Sequence, residues 1–397
     1  MKKREKIGLV LSGGGARAAY QIGVLQAVST ILCDAGWEPT RNPFEIICGT
    51  SAGAINATGL ACSADNFAEG IDKLVKVWST ISVDQVYRAD SLGVIRTGAR
   101  WLSLMSFGWL LRKWHRQPPH SLLNNMPLVT LLHRLLDLPR LDAALANGTL
   151  HALAITASSY TAGKHITFYQ SAAVIDEWTR TQRRAVKDQI GVEHLLASSA
   201  IPFIFPATPI YCEGRREYFG DGSMRQLAPI APAIHLGSDK VFVIGAGRLM
   251  EPALDITTFP KYPSLAQIAG HALSSIFLDG IAVDVERLNR INRTLSVLTP
   301  EQRETTSLRP INMLVIAPSK RIDEIASRHV MSLPRPIRTM LAAIGATEAP
   351  GGALASYLLF EAGFTNELIR LGQQDALARR DDVLQFFGNG SETAAAA

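Results

Sequence analysis

Cysteine is scarce in this chain: its 397 residues include only four, at positions 33, 48, 62 and 212. None of them forms the closely spaced C-x-x-C pairs of zinc sites and redox motifs. Cys48 lies inside an apolar run that we expect to be a buried strand. The pattern predicts reduced, mostly buried thiols in a reducing compartment. The sequence also shows no cluster of metal ligands, so we expect neither a metal nor a cofactor.

Long apolar runs are absent as well. No run approaches the roughly 20 residues that a membrane-spanning helix needs. The start, Met1–Lys6 followed by Ile7–Leu11, superficially resembles a signal peptide. Gly13–Gly15 and then Arg17 interrupt the apolar stretch well before the length of a normal signal core. We therefore expect a cytoplasmic or membrane-peripheral protein.

Dense clusters of one charge are missing too. Charged residues make up 19% of the chain, and the net charge of +5, with an isoelectric point near 9.0, is spread along it. Dispersed charge is typical of a solvated surface, so we expect no nucleic-acid partner, although a mildly basic protein is attracted to anionic lipid headgroups. The hydrophobic content of 47% is that of an ordinary globular protein and argues against long disorder.

No internal repeat and no obvious linker divides the sequence. The simplest organisation is one domain over residues 1–388, followed by a flexible tail at 389–397. Two helical elaborations are expected within the domain, a cap-like insertion at about 83–147 and a C-terminal part at about 320–388.

The insertion carries an unusual concentration of aromatic residues. Trp101, Phe107, Trp109 and Trp114 lie there among several arginine and lysine residues. This mixture is typical of a segment that lies in a membrane interface. A helical cap packed over the sheet is an equally good interpretation, and the sequence leaves the two open.

Short apolar runs alternate with helical periodicity from the start of the chain. Ile7–Ser12 and Phe44–Cys48 are predicted strands, and the helices Ala16–Ala35 and Ala54–Ala61 follow them through glycine-rich turns. This β-α-β-α order is typical of a parallel sheet covered by helices. A long helix is predicted at Leu265–Leu298, with a break near Gly280 left open. Further strands are predicted at Leu150–Ser158, Lys164–Gln170, Ile210–Cys212, Glu217–Phe219, Val241–Gly245 and Ile311–Ala317. We predict an α/β fold with a mainly parallel central sheet and extra helices.

The turn between the second strand and its helix reads Gly49-Thr50-Ser51-Ala52-Gly53. A G-x-S-x-G between a strand and a helix is the sequence form of a nucleophile elbow, which lifts a serine hydroxyl clear of the sheet. Ser51 is therefore the candidate nucleophile. A serine hydroxyl is a poor nucleophile at neutral pH and needs a base within hydrogen-bond reach.

The best candidate for that base is Asp221. It follows a predicted strand and is flanked by Gly220 and Gly222, which allow a close approach of backbone and substrate. Taken alone, Asp-Gly is also a common turn dipeptide in which the aspartate caps its own backbone. With Ser51 and a glycine run elsewhere in the chain, a catalytic carboxylate is the better interpretation, because loops at the carboxyl ends of different strands converge.

The loop after the first strand can supply oxyanion donors. Acyl transfer needs backbone N–H groups at a glycine-rich turn or a helix N-terminus to stabilise the oxyanion. The sequence Gly13-Gly14-Gly15-Ala16-Arg17 provides such a turn. Arg17 either fixes the loop by pairing or faces an anionic headgroup, and the first role is favoured.

Two other types of site share part of this sequence pattern. A dinucleotide site also begins with glycines after a first strand, but the G-x-G-x-x-G spacing is missing because Ala18 takes the last glycine position. An α/β-hydrolase shares the G-x-S-x-G motif and would need a histidine such as His235 or His271. Its serine normally follows several strands, whereas only about two precede Ser51 here.

Three blocks of the sequence together resemble the patatin-like phospholipases, a family of lipid acyl hydrolases. They are Leu11–Leu25, Gly49–Ala54 and Asp221-Gly222, and Ala197–Pro206 looks like a fourth block. The resemblance covers roughly 7–245, and a weaker similarity to bacterial members continues at 357–360 and 367–372.

The resemblance implies a three-layer α/β/α sandwich with Ser51 as nucleophile, Asp221 as its base without a histidine, and Gly13, Gly14, Gly15 and Arg17 as the oxyanion loop. Ala18 and Ser223 depart from the family pattern, which usually has glycine at both positions. The expected function is a lipid acyl hydrolase of phospholipase A or lysophospholipase type that forms an acyl-serine. An acyltransferase with the same acyl-enzyme is the first alternative, and a nucleotide-binding or regulatory module without catalysis is the second.

Overall fold

The computed structural model describes residues 5–88, 121–248, 262, 264–277, 279–343, 345–346 and 352–388. In this part of the chain, ten strands form a single sheet. The strands are β1 (Ile7–Leu11), β2 (Ile46–Thr50), β3 (Ala152–Ser159), β4 (His165–Ser171), β5 (Thr179–Arg180), β6 (Arg183–Lys187), β7 (Thr208–Cys212), β8 (Arg215–Asp221), β9 (Lys240–Ile244) and β10 (Asn312–Ile316).

Helices connect and cover these strands. They are α1 (Ala19–Asp34), α2 (Ala52–Ala61), α3 (Phe67–Thr80), α4 (Val83–Val86), α5 (Met126–Leu135), α6 (Leu138–Asn147), α7 (Val192–Ser198), α8 (Ala231–His235), α9 (Leu265–Phe277), α10 (Asp279–Ser296), α11 (Pro300–Glu304), α12 (Ile322–His329), α13 (Arg335–Ala343), α14 (Gly352–Leu358), α15 (Ala362–Ala378) and α16 (Arg380–Gly388). Short 3-10 turns at Gly15–Ala18 and Val330–Ser332 precede α1 and follow α12.

The sheet has a parallel centre. Strands β10, β9, β1, β2 and β3 lie side by side in that order and run in the same direction. Strand β4 pairs antiparallel with β3, and β6 and β5 continue that edge. The central strands are buried along their whole length because helices cover both faces, which explains their near-continuous apolar sequence. The predicted α/β fold with a mainly parallel sheet is confirmed.

Alternate residues of each central strand point to two separate apolar cores. On β1, Leu9 and Leu11 belong to the larger core, under α1, α2 and α15, whereas Val10 belongs to the smaller one. The smaller core is closed by Leu236, which follows α8, and by Leu288 of α10. Two helical layers therefore enclose the sheet.

One edge of β3 is shared by two neighbours. Strand β2 pairs with β3 from Ala152 to Thr156, where the register ends at Thr50. Strand β8 then pairs antiparallel with the remaining residues of β3, so that Asp221 lies opposite Ala157. Because β4 occupies the other edge of β3, β8 takes the place that β2 leaves when the chain turns into α2.

The C-terminal helices pack directly on the first helix of the chain. A Cβ atom at Gly23 of α1 would lie 1.9 Å from the Ile369 carbonyl oxygen, and one at Gly372 of α15 would lie 2.2 Å from the Tyr20 carbonyl oxygen. The Tyr20 hydroxyl also donates to Asp375 Oδ2 at 3.0 Å. The glycines let the two helices approach backbone to backbone, so residues beyond 320 belong to the core of the fold.

Several sequence expectations differ from the structure. The helix predicted at 265–298 is described as α9 and α10, on either side of residue 278, which lies outside the described residues. Strands β5 and β6 were not predicted, because the outer strand β6 is largely polar and only its Ala185 and Val186 are buried. The region 89–120, which holds Trp101, Phe107, Trp109 and Trp114, lies outside the described residues. The division into one domain with a cap and a tail stays a prediction.

Length and composition alone would allow one helical stretch, Gln267–Ser296, to cross a membrane. The stretch contains no uninterrupted apolar run of membrane-spanning length, but its mean hydropathy is 1.4 over its most apolar window. Ile281 and Leu288 within it pack into the smaller core beneath the sheet. A core helix meets the same criteria, so we do not assign this stretch to a membrane.

The Gly372→Ala variant tests the contact between α1 and α15. Alanine in a helix interior is normally stabilising by about 0.5–1 kcal/mol relative to glycine. Here the new methyl group would meet the Tyr20 carbonyl, and we expect a loss of about 1–3 kcal/mol from overpacking instead. Urea unfolding measures the difference. Gly363→Ala in the first turn of the same helix is the matched control, since its Cβ would meet only the His329 ring, at 3.3 Å, and an equal change in both variants would contradict the packing.

Candidate active site

The chain makes a strained turn at Ser51, between β2 and α2. Ser51 has φ 55° and ψ −131°, a left-handed φ that a residue with a side chain seldom adopts. The turn is tight because α2 begins at once and passes close to β1: a Cβ at Gly53 would lie 2.4 Å from the Ser12 carbonyl oxygen. Gly49 and Gly53 allow this approach, with Thr50 and Ala52 between them and the serine. This sharp strand-to-helix turn fits the elbow that the sequence predicts.

The Ser51 hydroxyl points at Asp221. Its Oγ donates a hydrogen bond to Asp221 Oδ2 at 2.7 Å, and the two residues are 1% and 0% exposed. The second carboxylate oxygen accepts from the Ser223 N–H at 2.8 Å. The two residues meet because β2 and β8 pair with the same edge of β3. Ser51 follows the last residue of β2, and Asp221 is the last residue of β8.

The environment of Asp221 makes it a stronger base than a solvated aspartate. Burial raises the pKa of its carboxyl to about 7, against hydrogen bonds from Ser51 and Ser223 that lower it. Desolvation disfavours the charged form, and a carboxylate with a pKa near the working pH is well matched to proton transfer.

Residues 198–200, at the end of α7, hold both members of this pair. The Ser198 hydroxyl accepts the Ser51 N–H at 2.8 Å and donates to the Thr156 carbonyl at 2.6 Å. The Ala200 carbonyl accepts the Asp221 N–H, and the Ser198 carbonyl accepts the Gly222 N–H, each at 3.0 Å. The sequence includes this segment in the fourth block, but nothing local in it shows that Ser198 would bridge the nucleophile turn.

The glycine loop lies against the serine. A Cβ at Gly13 would lie 3.1 Å from Ser51 Cβ and 2.3 Å from Ser223 Oγ, so the loop and the elbow are in direct contact. Gly15 has φ +55°, and its Cβ position is blocked by the Tyr357 carbonyl at 2.3 Å. Within the described part of the chain, the N–H groups of Gly13 and Gly14 make no hydrogen bond. They are free to donate to a ligand at Ser51.

Arg17 anchors the loop. Its side chain is 4% exposed, its Nε donates to Ser356 Oγ at 2.7 Å, and its guanidinium lies 4.4 Å from the centre of the Tyr357 ring. These partners lie in α14. The Arg17 side chain therefore holds the loop by pairing within the protein and does not face a headgroup. Ala16 is buried beside it.

The two departures from the family pattern fit their positions. Ala18 has φ −64° and ψ −12°, ordinary helical values that need no glycine. Ser223 is buried, and its backbone N–H serves Asp221. Neither residue disturbs the contact between Ser51 and Asp221.

Among the described histidines, none bonds to Ser51 or Asp221. His235 stacks on Trp178 at 4.8 Å, and His271 is exposed on α9. His165 is the histidine nearest to the base motif, where its Nε2–H donates to the Gly222 carbonyl at 3.0 Å. Burial lowers the pKa of His165 to about 4, so it is neutral at pH 7 and supports the turn after Asp221.

An apolar cavity opens next to Ser51. Gly15, Ser51 and Ala52 form one end of it. Aliphatic and aromatic side chains form most of the rest, among them Ile55, Trp78, Leu131, Leu135, Phe205 and Phe360. This lining suits a ligand with a hydrocarbon chain. The described residues contain no cluster of three potential metal ligands.

The fold and the site together define a class: an α/β protein whose parallel sheet presents a serine on a tight strand-to-helix turn, hydrogen-bonded to a buried carboxylate. A model of the patatin-like phospholipase family matches residues 9–234, more than half of the chain. The chain therefore belongs to the patatin-like phospholipase family, as its sequence blocks indicate. The family match ends before the helices that anchor Arg17.

One relative matches this chain over a short segment, and two solved structures resemble it at low sequence identity. A segment of 53 residues is 47% identical to a cGAMP-activated phospholipase of Pseudomonas aeruginosa, covering 13% of this chain and 15% of that protein. The structure of VipD from Legionella pneumophila is similar with a TM-score of 0.33 at 16% identity, over 93% of this chain and 67% of that one. Human GIVD cytosolic phospholipase A2 has a TM-score of 0.43 at 11% identity, over 97% of this chain and 62% of that one.

The Ser198→Ala variant tests the bridge to the nucleophile turn. It leaves the buried Ser51 N–H without an acceptor, and we expect a loss of about 1–3 kcal/mol in the free energy of unfolding. Ser199→Ala is the matched control, because the Ser199 hydroxyl donates only to a carbonyl of its own helix, that of Leu195. Urea unfolding of the two variants makes the comparison. Equal losses would contradict a special role for Ser198.

Proposed function

We propose that this protein is a lipid acyl hydrolase in which Ser51 and Asp221 form a two-residue catalytic pair. The observation that carries the proposal is the 2.7 Å hydrogen bond from Ser51 Oγ to Asp221 Oδ2 at the end of an apolar cavity. A carboxylate there has the reach and the basicity to take the serine proton without a histidine.

The reaction begins when Ser51 Oγ attacks the ester carbonyl carbon and its proton passes to Asp221. The tetrahedral oxyanion is stabilised by the free N–H groups of Gly13 and Gly14, helped by the N-terminus of α2. Collapse releases the alcohol, which takes its proton from Asp221, and leaves an acyl-serine. Water then attacks the acyl-serine and gives a proton to Asp221. When the second tetrahedral intermediate collapses, Asp221 returns this proton to Ser51 Oγ and the fatty acid leaves.

The cavity supports a lipid as the substrate. Among the described residues, its lining offers no cation or carboxylate to recognise a polar group, so the part of the substrate that enters it is a hydrocarbon chain. Membrane phospholipids carry such chains. We therefore propose that the protein acts in the cytoplasm or at the membrane surface. Together with the family match, these properties support hydrolysis at an ester of a phospholipid or lysophospholipid.

Replacing either member of the pair tests the mechanism. We expect Ser51→Ala to lower kcat by at least about a thousandfold and to abolish labelling by a fluorophosphonate probe, and Asp221→Asn to lower kcat by about 10⁴. Release of fatty acid from a panel of phospholipids, lysophospholipids and neutral esters gives the measurement. Normal turnover in Asp221→Asn would refute the pair and require another base. Transfer of the acyl group to an added alcohol in preference to water would identify a transferase.

The pH profile tests the role of Asp221 separately. Only the ionised carboxylate accepts a proton, and its pKa is raised to about 7. We therefore expect kcat/KM to rise with pH through that value and to fall about tenfold for each pH unit below it. A profile that stays flat well below neutrality would contradict the assignment.

A substitution in the cavity tests its role as the acyl site. Leu131→Trp adds bulk to the lining, and we expect it to reduce kcat/KM for long-chain esters by at least about tenfold more than for acetate esters. Met126→Trp is the matched control, because Met126 lies on the same helix, α5, but is 56% exposed and outside the cavity. A chain-length profile unchanged by Leu131→Trp would place the acyl chain elsewhere.

A further inference from the structure

Ser223 carries a hydroxyl that the proposed catalytic pair does not use. The residue is 3% exposed, and within the described part of the chain its hydroxyl oxygen is buried without a hydrogen-bond partner. A buried hydroxyl left without a partner is costly, and such a group at an active site requires an explanation. The family pattern usually has glycine at this position, so the hydroxyl is a property of this chain and not a requirement of the fold.

The hydroxyl lies between the glycine loop and the base. Ser223 Oγ is 2.3 Å from the Cβ position of Gly13, and Ser51 Cβ is 3.1 Å from the same point. The Ser223 backbone N–H donates to Asp221 Oδ1 at 2.8 Å. The Ser223 hydroxyl is near enough to the carboxyl to lower the pKa of Asp221, although it makes no hydrogen bond of normal geometry in the free protein. Ser223 therefore presents an uncommitted O–H donor beside both members of the pair.

Acylation of Ser51 takes a donor away from Asp221. In the free protein, Asp221 Oδ2 accepts the Ser51 hydroxyl at 2.7 Å, and Oδ1 accepts the Ser223 N–H. Once Ser51 Oγ carries the acyl group, it has no proton to donate, and the carboxylate keeps only the N–H. Asp221 is 0% exposed, and burial with so few donors favours the protonated carboxyl. A protonated carboxyl cannot take a proton from water, so deacylation needs a replacement donor.

The other polar groups around the base already have acceptors. The Nε2–H of His165 donates to a backbone carbonyl at 3.0 Å, and the Ser198 hydroxyl donates to another at 2.6 Å. The Tyr160 hydroxyl donates to a methionine sulfur at 3.5 Å, and its pKa is raised by burial and by the charge of Asp221, which keeps it neutral. Among the described residues around the carboxyl, Ser223 has the side-chain donor that is left to replace the Ser51 hydroxyl.

We propose that Ser223 is a positioning residue for deacylation, whose hydroxyl donates to Asp221 when Ser51 carries the acyl group. The inference rests on the proposed function, because it concerns the second half of that reaction. Water attacks the acyl carbon and gives one proton to the ionised carboxylate of Asp221. When the intermediate collapses, this proton passes to Ser51 Oγ and the fatty acid leaves. Ser223 keeps its own proton throughout and acts only by orienting and stabilising the charged form of the base.

The Ser223→Ala variant tests this role during turnover. Alanine retains the backbone N–H and most of the bulk beside Gly13, and it removes only the hydroxyl. Chromophore release in the first turnover of a chromogenic ester measures acylation, and mass spectrometry of quenched samples follows the loss of the acyl-enzyme. We expect acyl-enzyme hydrolysis near pH 7 to fall by at least about tenfold, and acylation to change by less than about twofold. Loss of a donor to the charged form raises the pKa of Asp221, so the hydrolysis rate should recover toward the wild-type value by about pH 9.

Ser238→Ala is the matched control. The Ser238 hydroxyl is also buried without a hydrogen-bond partner in the described part of the chain, and its Oγ lies 2.3 Å from the Cβ position of Gly8, toward the other end of β1. Removing an unpartnered hydroxyl should change the stability of either variant little, which urea unfolding checks. Ser238→Ala should leave acylation and deacylation unchanged. Normal acyl-enzyme hydrolysis in Ser223→Ala, an equal loss in both steps, or an equal effect in the control would overturn the proposal.

A titration of Asp221 tests the same inference without any turnover. Ser51→Ala removes the donor that acylation removes, and it needs no substrate. ¹³C NMR of protein labelled at the aspartate carboxyl carbons follows ionisation, with Asp221→Asn identifying the signal. We expect Ser223→Ala to raise the pH midpoint of Asp221 by about one unit in the Ser51→Ala background and by clearly less with Ser51 present. Equal shifts in the two backgrounds would show that the hydroxyl does not replace that of Ser51.

The outcomes separate this inference from the catalytic proposal. Ester hydrolysis by the wild-type protein, with equal Asp221 shifts in the two backgrounds, would overturn the role of Ser223 and leave the catalytic pair intact. A wild-type protein that forms no acyl-enzyme would overturn the proposed function and the role of Ser223 with it. Slow acyl-enzyme hydrolysis in Ser223→Ala that recovers at high pH, together with the larger shift in the Ser51→Ala background, is the result that supports both.

Discussion

One edge of β3, used first by β2 and then by β8, is the constraint on which the site depends. The first partner stops at Thr50, because the chain must leave the sheet to form the turn at Ser51. That departure leaves backbone groups of β3 unpaired, and β8 satisfies them with Asp221 opposite Ala157. Two residues 170 positions apart in the chain meet because the second strand begins where the first one ends.

Burial gives the site both its rigidity and its chemistry. Ser51 and Asp221 are almost inaccessible, so their polar atoms must be satisfied within the protein. Ser198 meets part of this need by accepting the Ser51 N–H, and the Ala200 carbonyl accepts that of Asp221. The same loss of solvent raises the pKa of Asp221 toward neutrality. A solvated aspartate would be a weak base for a serine, and a looser turn would not hold the strained backbone of Ser51.

The helices after residue 320 complete the site, although the family match ends at 234. Helix α14 holds Arg17 through Ser356 and Tyr357, and it thereby fixes the glycine loop that faces Ser51. Helix α15 packs on α1 through Gly372, so the loop and its helix are held from two sides.

Local patterns in the sequence predict the fold class, most of the helices and strands, and the residue types of the site. Apolar runs followed by glycines identify β1 and β2, because a buried parallel strand and a tight turn each have a strong local signature. The sequence does not reveal β5 and β6, whose few apolar residues give no periodic signal. It also leaves the partners of Arg17 and Ser198 open. Those partners lie in distant segments, and only the packing of the sheet and the C-terminal helices decides which carbonyl, hydroxyl or ring each buried group will meet.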